Sequence, residues 1–113
     1  MTEGILAAGN VKTAVAEYMK AHKAPPDSFA GLESDPPPST RLVRRVTIHP
    51  GGIIRVEYRG MPEIDGRSVV LVPDITPADQ VKWRCYTPDL RAADVPAECR
   101  SAMPDEIRQK LTR

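Results

Sequence analysis

The 113-residue sequence has no long hydrophobic run, few aromatic side chains and almost no net charge. No apolar stretch approaches the roughly 18–20 residues that a transmembrane helix requires, and no basic start followed by an apolar segment marks a secretory signal peptide. The formal net charge of +1 gives no strong field that would indicate nucleic acid or a membrane as the partner. Because aromatic residues make up only 4% of the chain, we expect an aliphatic core.

Motifs for catalysis or metal binding are missing as well. Gly51-Gly52 lacks the Lys and the helix that follow in a phosphate-binding loop, and no serine lies in a nucleophile elbow. The candidate zinc ligands are two histidines and two cysteines, but their spacing matches no compact ligand pair. These residues are His22, His49, Cys85 and Cys99. The sequence therefore predicts no enzyme, no cofactor and no metal site.

The two cysteines lie in the stretch Val81–Arg100, which begins as an alternating strand and continues as a proline-punctuated loop. Trp83 and Cys85 share the apolar side of that strand. A disulfide between Cys85 and Cys99 would close a loop of about fifteen residues and contribute about 3 kcal/mol in the chain-entropy model. Because the loop has few aliphatic residues of its own, we expect this bond to form.

The apolar spacing divides the rest of the chain into one helix and four strands. Spacings of three and four residues predict the helix, and alternation predicts the strands, the first two joined by a Pro-Gly-Gly turn. The predicted elements are the helix Thr2–His22 and the strands Leu42–His49, Ile53–Tyr58, Ser68–Pro73 and Val81–Cys85. The expected fold is α+β, with the helix packed on a four-stranded antiparallel sheet.

We expect a single domain over residues 1–113, near the size at which a covalent cross-link helps stability. Its parts are the helix at 1–22, a proline-rich loop at 23–40, the sheet at 41–86, the disulfide loop at 85–99 and a tail at 100–113. Phe29 and Leu32 are expected to anchor the proline-rich loop to the sheet.

Three stretches of the chain resemble bacterial type IV pilins. Trp83-x-Cys85 followed by Val-Pro-Ala-x-Cys-Arg at 95–100 is similar to the C-terminal disulfide loop of that family. The run EGILAAGNVKTAVAEYM is similar to the second half of the pilin helix, and Pro26 with Ala30-Gly31-Leu32 matches the loop after it. The resemblance, to a type IVa major pilin in particular, implies the pilin roll: a helix on a four-stranded antiparallel sheet with a C-terminal disulfide-bonded loop.

The resemblance also implies a non-enzymatic structural subunit of a type IV pilus. Such subunits lie in the inner membrane and periplasm before the assembly machinery polymerises them, through their N-terminal helices, into extracellular filaments. These filaments serve surface adhesion, twitching motility and DNA uptake, so host surfaces and DNA are further expected partners. Pilins begin with a hydrophobic helix half that this sequence lacks, and we therefore expect an N-terminally truncated, soluble domain that is a monomer.

Two alternative functions remain open. A minor DNA-binding pilin would contact phosphates through basic residues in the region 41–59, although these side chains are also explained as solvated strand residues. They are Arg41, Arg44, Arg45, Arg55 and Arg59. The other alternative is a pseudopilin of type II secretion. Pseudopilins usually lack this disulfide loop and often have a calcium site, and the sequence offers no acidic cluster for calcium beyond Glu63-Ile64-Asp65.

The tail beyond Cys99 departs from the family pattern, since type IV pilins usually end soon after the second cysteine. Pro104, Asp105 and Glu106 precede basic residues in the order that suits a short helix. Met103 and Ile107, with Leu111, form a thin apolar stripe. The tail is expected either to pack on the domain as a helix or to fray.

Overall fold

A computed structural model describes residues 2–26, 29, 32, 41–62, 64–75, 80–91, 95, 97–100 and 102–111, except for the side chains of residues 2–7, 75 and 98. In chain order its elements are helix α1 (Thr2–His22), strands β1 (Val43–His49), β2 (Ile53–Tyr58), β3 (Ser68–Ile75) and β4 (Val81–Tyr86), a 3₁₀ turn (Ala97–Cys99) and helix α2 (Asp105–Leu111). The predicted α+β fold, a helix on a four-stranded antiparallel sheet, is confirmed.

Helix α1 packs on the sheet through residues spaced three and four apart. This buried stripe consists of Ala8, Val11, Val15 and Met19, none of which is more than 4% exposed. It contacts β1 and β2. The helix ends at His22, and the next residue, Lys23, takes a left-handed φ of 57° and donates its N–H to the carbonyl of Met19 at 2.8 Å. The spacing of three residues would also place Ile5 on this stripe, but its side chain lies outside the described side chains.

The four strands form an antiparallel meander in the order β1-β2-β3-β4. Their register aligns Val46 with Val56, and Val56 with Val69, so the apolar side chains of one face meet across the sheet. At the β1–β2 turn, Gly52 has a φ of 74°, and a Cβ there would lie 3.1 Å from Pro25 and 3.2 Å from Pro73. Glycine is therefore required at this turn by both conformation and space.

A β-bulge interrupts the start of β1. By strict alternation Arg44 would share the face of Val46, but the register shifts between Val43 and Arg45. Val43, 1% exposed, takes the core position instead, and the side chain of Arg44 is 46% exposed. The extra residue of the bulge thus moves the charged side chain out of the core.

Strand β3 continues two residues beyond the predicted end at Pro73. The last β2 pairing is Ile54 with Leu71, whereas Pro73 pairs with Trp83 of β4 and the ladder runs on to Ile75. Proline fits at this position because no β2 residue pairs with it.

The sheet carries an apolar cluster on each face. The inner face, which α1 covers, holds Val46, Ile54, Val56, Val69 and Cys85, with Phe29, Leu32 and Trp83 packed at its margin. The outer face holds Ile53, Val70, Val72 and Tyr86, and here Met103, Ile107 and Leu111 of the tail pack against the sheet. The tail is therefore a helix seated on the outer face, the first of the two expected outcomes. Within the described residues, neither helix combines the length and apolar character needed to cross a membrane.

Candidate interaction surfaces

The disulfide loop is closed onto the inner face of edge strand β4. Cys85 and Cys99 are bonded, with Cα atoms 4.5 Å apart, and both are buried. The two large aliphatic side chains of the loop, Leu90 and Val95, are 8% and 4% exposed and belong to the inner-face core. The predicted C-terminal disulfide-bonded loop is confirmed, and its residues contribute to the core of the domain.

A group of hydrogen bonds ties the start of the same loop to β3. The Thr87 hydroxyl donates to the carbonyl of Ser68 at 2.8 Å and accepts the N–H of Leu90 at 2.9 Å. The Asp89 carboxylate accepts the N–H of Ser68 at 3.0 Å, and the Asp89 carbonyl accepts from Arg67 at 3.0 Å. We call Arg67, Ser68, Thr87 and Asp89 the loop anchor. It holds the loop at a second point, independent of the disulfide.

Sequence reasoning missed the loop anchor. The available signal was Thr87-Pro88-Asp89, because Thr and Asp next to Pro commonly bond to backbone groups a few residues away. The partner, Ser68, is completely buried and lies nineteen positions earlier in the chain than Thr87. A local pattern indicates the turn but does not indicate which strand it joins.

An open groove of about 420 Å³ separates α1 from Trp83 of β4. Lys12, Glu17 and Lys20 line it together with small residues of the helix, including Gly9 and Ala16. The ammonium of Lys12 lies 5.5 Å from the centroid of the Trp83 ring, a cation–π distance. The groove therefore presents one aromatic ring, two ammonium groups and one carboxylate. Because both signs of charge are present, this pattern does not select a ligand of one charge.

Two of the arginines considered for DNA binding share one carboxylate. Arg45 donates to Glu57 at 2.7 Å, and Arg44 lies 3.8 Å from Glu57 and 3.5 Å from Asp65. The hydrogen bond to Glu57, followed by its negative charge, raises the pKa of Arg45. The exposed end of β1 thus carries acidic partners beside its basic groups, and part of its positive field is cancelled locally.

The other three arginines occupy other positions in the chain. Arg55, on the outer face of β2, donates to the Ser68 hydroxyl at 3.0 Å. Arg59 is half-buried just after β2, and its N–H donates to the carbonyl of Leu42 at 2.9 Å. Arg41 is exposed just before β1. The structure therefore brings Arg44 and Arg45 together on one carboxylate and places Arg55 one strand closer to the centre of the sheet.

The four candidate zinc ligands occupy separate places. Both cysteines are in the disulfide, His22 stacks on Tyr18 with ring centroids 4.2 Å apart, and His49 lies 3.0 Å from the Thr47 hydroxyl. Burial, followed by the positive charge of Arg55, lowers the pKa of His49. Over the described ranges, no group of three or more His, Cys, Asp or Glu side chains is placed to hold a metal ion.

Comparison with protein families gives a match to the pilin family. The model of the pilin family, the subunits of bacterial filaments, covers residues 1–100 and therefore α1, the sheet and the disulfide loop. Helix α2 lies beyond the matched residues. A comparison with curated proteins gave no match. Because the family model covers most of the sequence, this chain belongs to the pilin family, whose members are structural subunits that assemble with one another into extracellular pili.

Proposed function

We propose that this chain is the globular domain of a type IVa major pilin. In this proposal the pilus assembly machinery takes the subunit from the inner membrane and periplasm into the filament, where neighbouring pilins contact one another through their N-terminal helices. The filament then serves surface adhesion, twitching motility and DNA uptake. The globular domain contributes no catalytic group and acts by tiling the filament surface.

The observation that carries this proposal is the loop pinned to β4 within the region that matches the family. The loop is attached covalently at Cys85, and Ser68 of β3 accepts a hydrogen bond from Thr87 and donates one to Asp89. Two independent attachments fix the described ends of this irregular segment, which suits a subunit that must present the same surface at every position of a filament. The buried stripe of α1 supports a monomeric domain, because these side chains are already covered by the sheet.

Immunogold labelling of filaments sheared from the cells that make this protein tests the proposal. We expect label along the whole filament, from an antibody against the domain. Replacing both Cys85 and Cys99 with Ala should reduce incorporation several-fold, whereas Met61→Ala, at a side chain 47% exposed after β2, should leave it unchanged. Label confined to the cell envelope would contradict a filament role, and label only at filament tips would indicate a minor pilin.

DNA binding by a minor pilin is the second candidate, favoured by the exposed side chains of Arg41, Arg44 and Arg45 at one end of β1. The acidic partners Glu57 and Asp65 weaken it. We expect only weak, salt-sensitive and non-specific binding to duplex DNA in a gel-shift titration at physiological salt. Tight binding that is lost in the Arg44→Glu, Arg45→Glu variant, but kept in an Arg108→Glu control on α2, would favour the DNA-binding function instead.

The contacts of Asp65 weigh against the pseudopilin alternative. Its carboxylate accepts the N–H of Gly60 at 3.3 Å and pairs with Arg44, so it already has structural partners. Glu63, the other acidic residue of this short cluster, lies outside the described residues. A calcium-binding pseudopilin would melt at a higher temperature when calcium is added. We expect no such shift here.

A further inference from the structure

The outer face of the sheet is apolar across three strands. Ile53 of β2, Val70 and Val72 of β3, and Tyr86 of β4 are 1%, 0%, 5% and 7% exposed. The residues of the tail that pack on them are Met103, Ile107 and Leu111, of which Met103 and Ile107 are 7% and 3% exposed. Four large side chains therefore depend on the tail for part of their cover.

The other side of α2 is polar. Asp105, Glu106, Arg108 and Gln109 are exposed, and Glu106 pairs with Lys110 at 3.6 Å. The far end of the helix reaches the β1–β2 turn, where a Cβ on Gly51 would lie 3.4 Å from the Lys110 ammonium. Helix α2 thus replaces an apolar surface by a charged one along the outer face, from β4 to the β1–β2 turn.

The disulfide sets a short tether for this helix. Cys99 is bonded to Cys85 and belongs to the inner-face cluster, whereas Met103 belongs to the outer-face cluster. The two clusters are therefore joined by only four residue steps of chain, which span at most about 14 Å. A helix on so short a tether has a high effective concentration at its own seat.

We propose that α2 is a strap that closes the outer apolar face of the sheet against a second copy of this chain. Pilins assemble as many identical copies, and an uncovered apolar patch shared by all copies would pair with itself about a two-fold axis. The strap removes this patch in cis, and the disulfide keeps the strap in place. The proposal rests on the described contacts of α2, which lies outside the residues that match the family, and it holds whichever filament function the domain serves.

Substituting Ile107→Asp in the full chain tests the strap. Because an aspartate in the apolar seat is strongly disfavoured, we expect the amides of α2 to exchange with solvent about a hundredfold faster. Sedimentation velocity from about 10 to 200 μM should then show a concentration-dependent dimer, whereas the parent chain stays a monomer. The matched control is Arg108→Asp, which introduces the same side chain at the next, exposed position and should behave like the parent.

Trp83 reports whether the rest of the domain stays folded. It is the single tryptophan and packs at the inner-face cluster, away from α2, so its emission should match the parent in the Ile107→Asp variant. If α2 opens and the chain remains a monomer, the strap proposal is wrong and α2 has only a packing role. Unchanged exchange of the α2 amides would also overturn it. If the Trp83 emission shows that Ile107→Asp unfolds the domain, the milder variant Ile107→Ala is used instead. Dimers of that variant, under conditions where the Trp83 emission matches the parent, support the proposal, and monomers refute it.

Discussion

Removing the disulfide is expected to lower the free energy of unfolding by about 3 kcal/mol. The two cysteines are 14 positions apart, and a closed loop of this size gives that value when cross-linking restricts the unfolded chain. The perturbation is the double substitution Cys85→Ala, Cys99→Ala. Thr87 and Asp89 still attach the start of the loop to β3 in this variant, so we expect the rest of the fold to remain intact.

Urea unfolding of the oxidised parent and the variant measures this loss. Far-UV circular dichroism follows the helices and the sheet, and the fluorescence of Trp83 follows the inner-face core. For a chain of this length the same loss corresponds to a melting temperature lower by roughly 10–15 °C. The dependence of the free energy on urea should also become steeper, because an unfolded chain without the cross-link exposes more surface.

The single variant Cys99→Ala distinguishes the contribution of the cross-link to stability from the contribution of the packed sulfur atoms. Both the single and the double variant lack the bond, so their stabilities should agree within about 1 kcal/mol if loop closure dominates. A double variant that loses less than about 1 kcal/mol would refute the reasoning, because it would mean that the loop anchor alone holds the loop. A large difference between the two variants would mean that packing of the sulfur atoms dominates.

Two further predictions concern single side chains. Thr87→Val keeps the shape of the side chain but leaves the Ser68 carbonyl and the Leu90 N–H without this partner, so urea unfolding should show a loss of about 1–3 kcal/mol. The milder control is Thr47→Val, because among the described residues the Thr47 hydroxyl bonds to a side chain, that of His49. Equal losses in the two variants would contradict the role of the loop anchor. Burial and the charge of Arg55 lower the pKa of His49, so the folded protein binds a proton less readily than the unfolded chain, and stability should fall as the pH drops below about 6.5. His49→Gln should reduce the loss of unfolding free energy between pH 7.5 and 5.5. An unchanged pH dependence in this variant would mean that His49 does not cause the loss.

The disulfide loop and the tail show which features of the interaction surfaces can be predicted from residue patterns. The two cysteines of the sequence predicted the closed loop, because no other pairing within the chain exists. The apolar stripe of Met103 and Ile107 indicated a helix that needs a partner, but it did not indicate which surface. For the arginines, the prediction of DNA contacts remains untested, and the structure adds their acidic neighbours Glu57 and Asp65.

The sequence by itself determined the helix, the four strands and the disulfide partners. Spacings of three or four residues in α1, and of two in β1 to β4, are local properties that follow from the geometry of each element. The strand boundaries at Pro50-Gly51-Gly52 follow equally locally, because only glycine adopts the left-handed conformations of that turn without cost.

Only the tertiary structure decided the bulge at Arg44, the continuation of β3 past Pro73, the loop anchor and the seat of α2. Each depends on residues that are distant in the chain: Pro73 is tolerated because β2 has no partner for it, and the α2 seat is formed by Ile53, Val70 and Tyr86 from three strands. No local pattern contains the register that brings these side chains together. The surface on which the tail packs is formed by side chains of three strands, so it exists only in the assembled sheet.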